Sequence, residues 1–177
     1  MPDCSMLLCH AERCAKVTRV GSLSRGEDAL TDSDVSEGVR VVALAADFPE
    51  LTKGSLVSLS GKRHIVTNAR TDPAAASMVV GMSAALDEVR VAYSRPGTKI
   101  RFPLDALAVE SDVIEPVSDS FAPTASRAWF VAVSADQWTE PTEPQIGDAL
   151  ALDGVNLRVS AVAKRDGFWI LTARARR

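Results

Sequence analysis

Two stretches of this 177-residue chain carry one short pattern: GSLVSLSGKRHIVTNA, from Gly54 to Ala69, and GDALALDGVNLRVSAV, from Gly147 to Val162. Laying Gly54 on Gly147 places Leu59 on Leu152, Gly61 on Gly154 and Val66 on Val159. Upstream, VALAAD (Val42 to Asp47) lies on VAVSAD (Val131 to Asp136), with Leu44 meeting Val133. On this alignment the second copy carries four more residues between its Asp and its Gly, an insertion of the size a surface loop accepts. Any two antiparallel meanders share turn glycines and apolar alternation, but agreement in order and spacing favours duplication. Two copies are too few for a solenoid, and each half is near the lower size limit for an independent core. The repeat therefore predicts two small fused modules.

The local pattern says what kind of module. Val57 and Leu59 alternate with Ser58 and Ser60, the period-two signature of a half-buried strand, and Ser60-Gly61 supplies turn chemistry before HIVTNAR. VRVVALAAD and MVVGM read as further strands of an antiparallel meander. Between the copies, Val89, Val91 and Tyr93 face Ile100 and Phe102 across a turn at Arg95-Pro96-Gly97, another hairpin. ESDVIEPVSDSFAPTAS, with its prolines and serines, reads as a linker or long loop, and the Gly- and Asp-rich stretch after a strand at Val17 to Val20 reads as a polar loop. Asp3 to about Lys16 is expected to form a short helix with Asp3 or Ser5 as N-cap. The expected fold is mainly β: two related small antiparallel β-barrel or sandwich modules with a short N-terminal helix. Residues 1–86 hold the helix, a loop and the first module, 87–126 a hairpin and connector, and 127–177 the second module with a basic tail; hairpin 87–104 fits either module.

Composition narrows the function. Hydrophobic residues at 46% exclude wholesale disorder, and 5% aromatics imply a core of Val, Leu, Ile and Ala. No apolar run approaches the roughly 20 residues of a membrane-spanning helix, and the N-terminus lacks the order of a signal peptide, so a soluble protein made in a cytoplasm is expected. A net charge of −3 argues against general nucleic-acid binding. The basic run Arg174, Arg176 and Arg177 reads as a solvated terminus or as an element reaching an acidic partner surface. Cys4, Cys9 and Cys14 recur at five-residue steps beside His10, which would swing thiols about 140° apart each time along a helix, so they are expected to be free thiols rather than a metal site. Their odd number argues against a closed disulfide framework.

Catalytic chemistry finds little footing. His64 aligns with apolar Leu157, which predicts a structural place on a strand face, and GSLSRG lacks the ending of a phosphate-binding loop. Asp47 and Asp136, each after an apolar strand, read as turn stabilisers more than as paired catalytic acids. Trp129, Trp138 and Trp169 read as core or contact residues; Trp138, beside Thr139 and Glu140 in a loop, is the best partner-contact anchor. No catalytic residue, cofactor or metal is expected.

The order strand, Ala-Asp, loop, Gly-Asp-x-Leu-x-Leu-x-Gly, acidic turn, apolar strand and Arg-rich end resembles the small head–tail joining and tail-completion proteins of tailed bacteriophages. Gly147, Asp148, Leu150, Leu152, Gly154, Val159, Asp166 and the final TARARR carry the resemblance; Ser55 stands where the pattern prefers Asp. It implies a non-enzymatic structural protein of the virion neck or tail, made in the host cytoplasm. Such a protein forms a homo-oligomeric ring, as a hexamer for instance, between portal and tail proteins, and DNA passes through it without specific binding. Trp138, Arg174, Arg176 and Arg177 are the expected contacts. From a different class, a bacterial β-barrel module that binds a peptide or polymer through its loops fits the same pattern.

Overall fold

The computed structural model of the chain describes residues 5–23, 38–115, 124–138 and 143–175. Strands β1 (Ser5–His10), β2 (Arg13–Leu23), β3 (Gly38–Leu44), β4 (Leu56–Leu59), β5 (Lys62–Asp72) and β6 (Ser77–Ser83) close into a six-stranded antiparallel barrel in the order β1-β2-β3-β6-β5-β4. Strands β7 (Asp87–Ser94), β8 (Arg101–Glu115), β9 (Thr124–Ser134), β10 (Ala149–Leu152), β11 (Val155–Arg165) and β12 (Phe168–Ala175) close a second barrel in the order β7-β8-β9-β12-β11-β10. The two strand orders are the same topology read twice. Hairpin 87–104 belongs to the second barrel, where β7 pairs with both β8 and β10.

Each barrel is filled by inward-facing alternate residues. Leu8, Val41, Val57, Val66, Val80 and Met82 centre the first core, and Val91, Tyr93, Val131, Leu150, Leu157 and Leu171 the second. Closure leaves every strand paired on both sides and no free edge. The β4–β5 and β10–β11 hairpins turn at Ser60-Gly61 and Asp153-Gly154, where both residues of each pair have positive φ. That is the twist a two-residue hairpin requires, and glycine at the second position adopts it without steric cost.

The duplication extends to irregularities. The β5–β6 ladder slips between Val66 and Asn68, and the β11–β12 ladder slips between Val159 and Ala161, the aligned positions. The Gly54 N–H donates to Val66 O and the Gly147 N–H to Val159 O; the Val66 N–H donates to Ser55 O and the Val159 N–H to Asp148 O. Upstream, however, the expected alignment of VALAAD on VAVSAD is off by one residue. The 3-10 turns Ala45–Asp47 and Ala135–Gln137 coincide, so Val41 matches Val131 and Ala43 matches Val133. Side-chain direction forces this: Leu44 is 59% exposed and Val133 fully buried, and a one-residue slip exchanges the two faces of a strand. The second copy therefore has three extra residues before its Gly, not four.

The expected N-terminal helix is a β-hairpin instead, and no α-helix occurs among the described residues. In Met6 to His10, Leu8 and His10 are buried while Leu7 points out, which is strand alternation. β1 closes the barrel by pairing with β2 on one side and β4 on the other. A short isolated helix is marginal in water and cannot compete with two ladders. The same hairpin corrects the expectation of free thiols at two positions. A five-residue step across this tight turn sets Cys9 directly opposite Cys14, with Cα atoms 4.1 Å apart, and they form a disulfide. Cys4 lies outside the described residues, as do residues 24–37 of the polar loop expected after Val20 and residues 116–123 of the expected linker; residues 21–23, expected in that loop, continue strand β2. The flanks of that linker, Ser111–Glu115 and Thr124–Ser126, are strand.

Candidate functional site

The Gly147-Asp148 pair, which carries the phage-protein resemblance, sits at one end of the second barrel, where the loop into β10 meets the β7–β8 turn. Asp148 is buried, and its carboxylate accepts hydrogen bonds from the Tyr93 hydroxyl, from Arg95 Nε at 3.1 Å and from the Gln145 N–H at 2.7 Å. Arg95 also donates to the Tyr93 hydroxyl at 3.0 Å and to the Glu143 carbonyl. A buried carboxylate is tolerated only when paired and hydrogen-bonded, and this one is both. The electrostatic consequences run both ways. Burial, reinforced by the Asp148 carboxylate, pushes the Tyr93 hydroxyl up to about 12, while the hydrogen bond to Asp148 holds Arg95 further toward its charged form. The motif staples the Arg95-Pro96-Gly97 turn to the loop that precedes β10.

In the first barrel the same place is taken by Ser55, whose hydroxyl accepts from the Thr52 N–H at 3.4 Å. The aspartate-for-serine exchange thus adds Tyr93 and Arg95 to a backbone pin that both barrels share. Sequence reading found Asp148 but missed Tyr93, Arg95 and Gln145. The available signal was that Tyr93 is the chain's sole tyrosine, placed inward on a strand two residues before an arginine.

Trp138 ends the 3-10 turn after β9, with its N–H donating to Ala135 O, as Phe48 does to Ala45 O in the first barrel. Its ring meets Tyr93 edge-on at 4.7 Å between centroids and Phe102 at 5.5 Å. Trp138 is half-buried, and its Nε1–H has no acceptor among the described residues. Beyond it, Ile146 stands 72% exposed, the most exposed of the large apolar side chains described. The stapled β7–β8 turn bounds a cleft of about 470 Å³ lined by residues 94–101, among them Lys99 and Arg101. This end of the barrel therefore combines an exposed aliphatic residue, a half-buried indole and a cationic turn on a rigid support.

The other singled-out residues are dispersed. Arg174 lies on β12 opposite Arg158, within the ladder rather than in a tail, and Arg176 and Arg177 lie outside the described residues. Asp47 and Asp136 are not equivalent in the observed register: Asp47 matches Gln137, whose amide bonds both the N–H and the carbonyl of Asp105. His64 is buried in the first barrel with Nδ1 2.9 Å from the Ser83 carbonyl, and burial lowers its pKa from the ordinary histidine value. Among the described residues, no three His, Cys, Asp or Glu side chains cluster as a metal site. Comparison with protein-family models gives no match to this chain, and comparison with the curated proteins gives none either.

Proposed function

We propose that this chain is a non-enzymatic structural protein of a tailed-phage virion. It forms a ring in the neck or tail-completion region and joins the portal of the head to the tail. The observation that carries the reading is the stapled end of the second barrel. There the Gly-Asp motif on which the resemblance rests holds a turn and a loop in fixed relation, with Ile146 exposed, a cationic turn at the rim and Trp138 half-buried against the core. A ring requires a heterologous contact in which one face of a subunit meets a different face of the next. A closed barrel supplies a rigid body for that contact, and a central apolar anchor with polar surroundings is the usual energetic arrangement. Six copies of a two-barrel chain would present twelve similar units, a way to meet twelve-fold symmetry on one side and six-fold on the other.

The test is negative-stain microscopy of the purified chain, alone and mixed with its portal and tail neighbours. Rings, alone or templated by the portal, support the reading; monomers bound to neither neighbour overturn it.

A further inference from the structure

Because the barrels share topology and register, each serves as a control for the other. At one mouth of the second barrel Leu157 is in the core, and Val89 and Trp129 pack against it. The strand pairings place Met6, Val39 and His64 at the matching positions of the first barrel. Two large apolar plugs, Trp129 and Leu157, are thus replaced by a valine and an imidazole. Met82, standing where the second barrel has Ala173, recovers part of the lost volume. A cleft of about 410 Å³ nonetheless remains at this mouth, lined by Met6, Val39, Leu59, Lys62, His64 and Ala85 among others. Barrel mouths with an apolar wall and a few convergent polar groups are common seats for small ligands.

The polar groups specify the ligand. A carbonyl can only accept, so the contact of His64 Nδ1 with Ser83 O makes Nδ1 the donor; the Ala84 backbone also bonds the ring, and burial favours its neutral form, in which Nε2 carries the acceptor lone pair. Lys62, exposed at the rim, carries a positive charge. We propose that the mouth of the N-terminal barrel binds a small flat aromatic anion bearing an N–H or O–H donor. Its ring fills the space that Trp129 fills in the twin, its donor meets His64 Nε2, and its anionic group lies at Lys62.

The experiment titrates the full-length chain with indole-3-acetate and, in parallel, with 1-naphthaleneacetate, which has similar shape and charge but no donor, by calorimetry and by the His64 imidazole resonances. Saturable binding is expected, with the naphthalene compound about tenfold weaker, the size of effect one hydrogen-bond donor gives. His64→Leu, the twin's residue, should remove that preference. Val39→Trp combined with Met82→Ala transplants the twin's plug and should abolish binding while the chain keeps its unfolding midpoint; should that variant unfold, His64→Leu still decides. Absence of saturable binding at about 1 mM, or binding that ignores the plug in a folded variant or the loss of His64, overturns the proposal.

Discussion

Ser55 and Asp148 occupy one position in two barrels: each lies in the loop entering a short strand, and each side chain takes the N–H of the residue three before it. In one barrel that is all the side chain does among the described residues. In the other it also receives Tyr93 and Arg95, so a local pin has become a tie between two loops. The difference separates what the fold requires from what the second barrel has added.

Replacing each residue should expose that difference. Asp148→Ser leaves the Tyr93 hydroxyl and the Arg95 guanidinium without their carboxylate and should cost on the order of 3 kcal/mol, the range for breaking a buried pair. Ser55→Ala loses one long hydrogen bond and should cost about 1 kcal/mol. Urea denaturation, fitted with separate transitions if the barrels unfold independently, measures both. Equal losses would remove the claim that Asp148 ties two loops.

Tyr93 reports on the same tie by titration. Its folded pKa of about 12 exceeds the unfolded value, so the fold favours the protonated phenol. That contribution is complete below about pH 10 and is lost as pH rises through the folded value. Since no other tyrosine exists, phenolate absorbance should stay flat through pH 10 and rise only above it. Asp148→Asn removes the negative charge beside the hydroxyl and should shift the rise to lower pH; an unshifted curve would show that the carboxylate does not reach the phenol in solution.

The Cys9–Cys14 bridge closes a loop of few residues, so reducing it should lower stability by only about 2 kcal/mol and leave the barrel folded. Thermal unfolding with and without reductant measures this. Loss of β-structure on reduction would mean that the first hairpin depends on the bridge rather than on its two ladders.

Much of the fold was legible because a repeat constrains more than its letters do. Turn pairs such as Asp153-Gly154 and the alternation around Leu59 identify hairpins unaided, and two copies of them identify two small antiparallel modules; the choice of barrel over sandwich rests on the strand pairings that close each sheet. The N-terminal hairpin was not legible as strand, because MLLCH read alone suits a helix and only closure of the barrel against β4 decides. The upstream alignment failed by one residue because letter matching rewards Asp47 over Asp136, whereas burial aligns Val41 with Val131. Of the candidate site, Asp148 and Trp138 were visible. Arg95 reads locally as a turn residue, since its partner lies 53 positions away and no local pattern announces such a contact.

Ile146 offers a test of the contact surface separate from the staple. At 72% exposure, Ile146→Glu should change stability by less than about 0.5 kcal/mol, as surface substitutions do. If the stapled end is a subunit contact, the same variant should fail to assemble. Assembly at wild-type yield would place the contact elsewhere.

The ring proposed above is tested most directly by the native mass of the chain mixed with candidate portal and tail proteins. A closed homo-oligomer is expected, six copies for a ring of twelve barrels, that remains bound to at least one of them. A stable monomer that joins neither would contradict it.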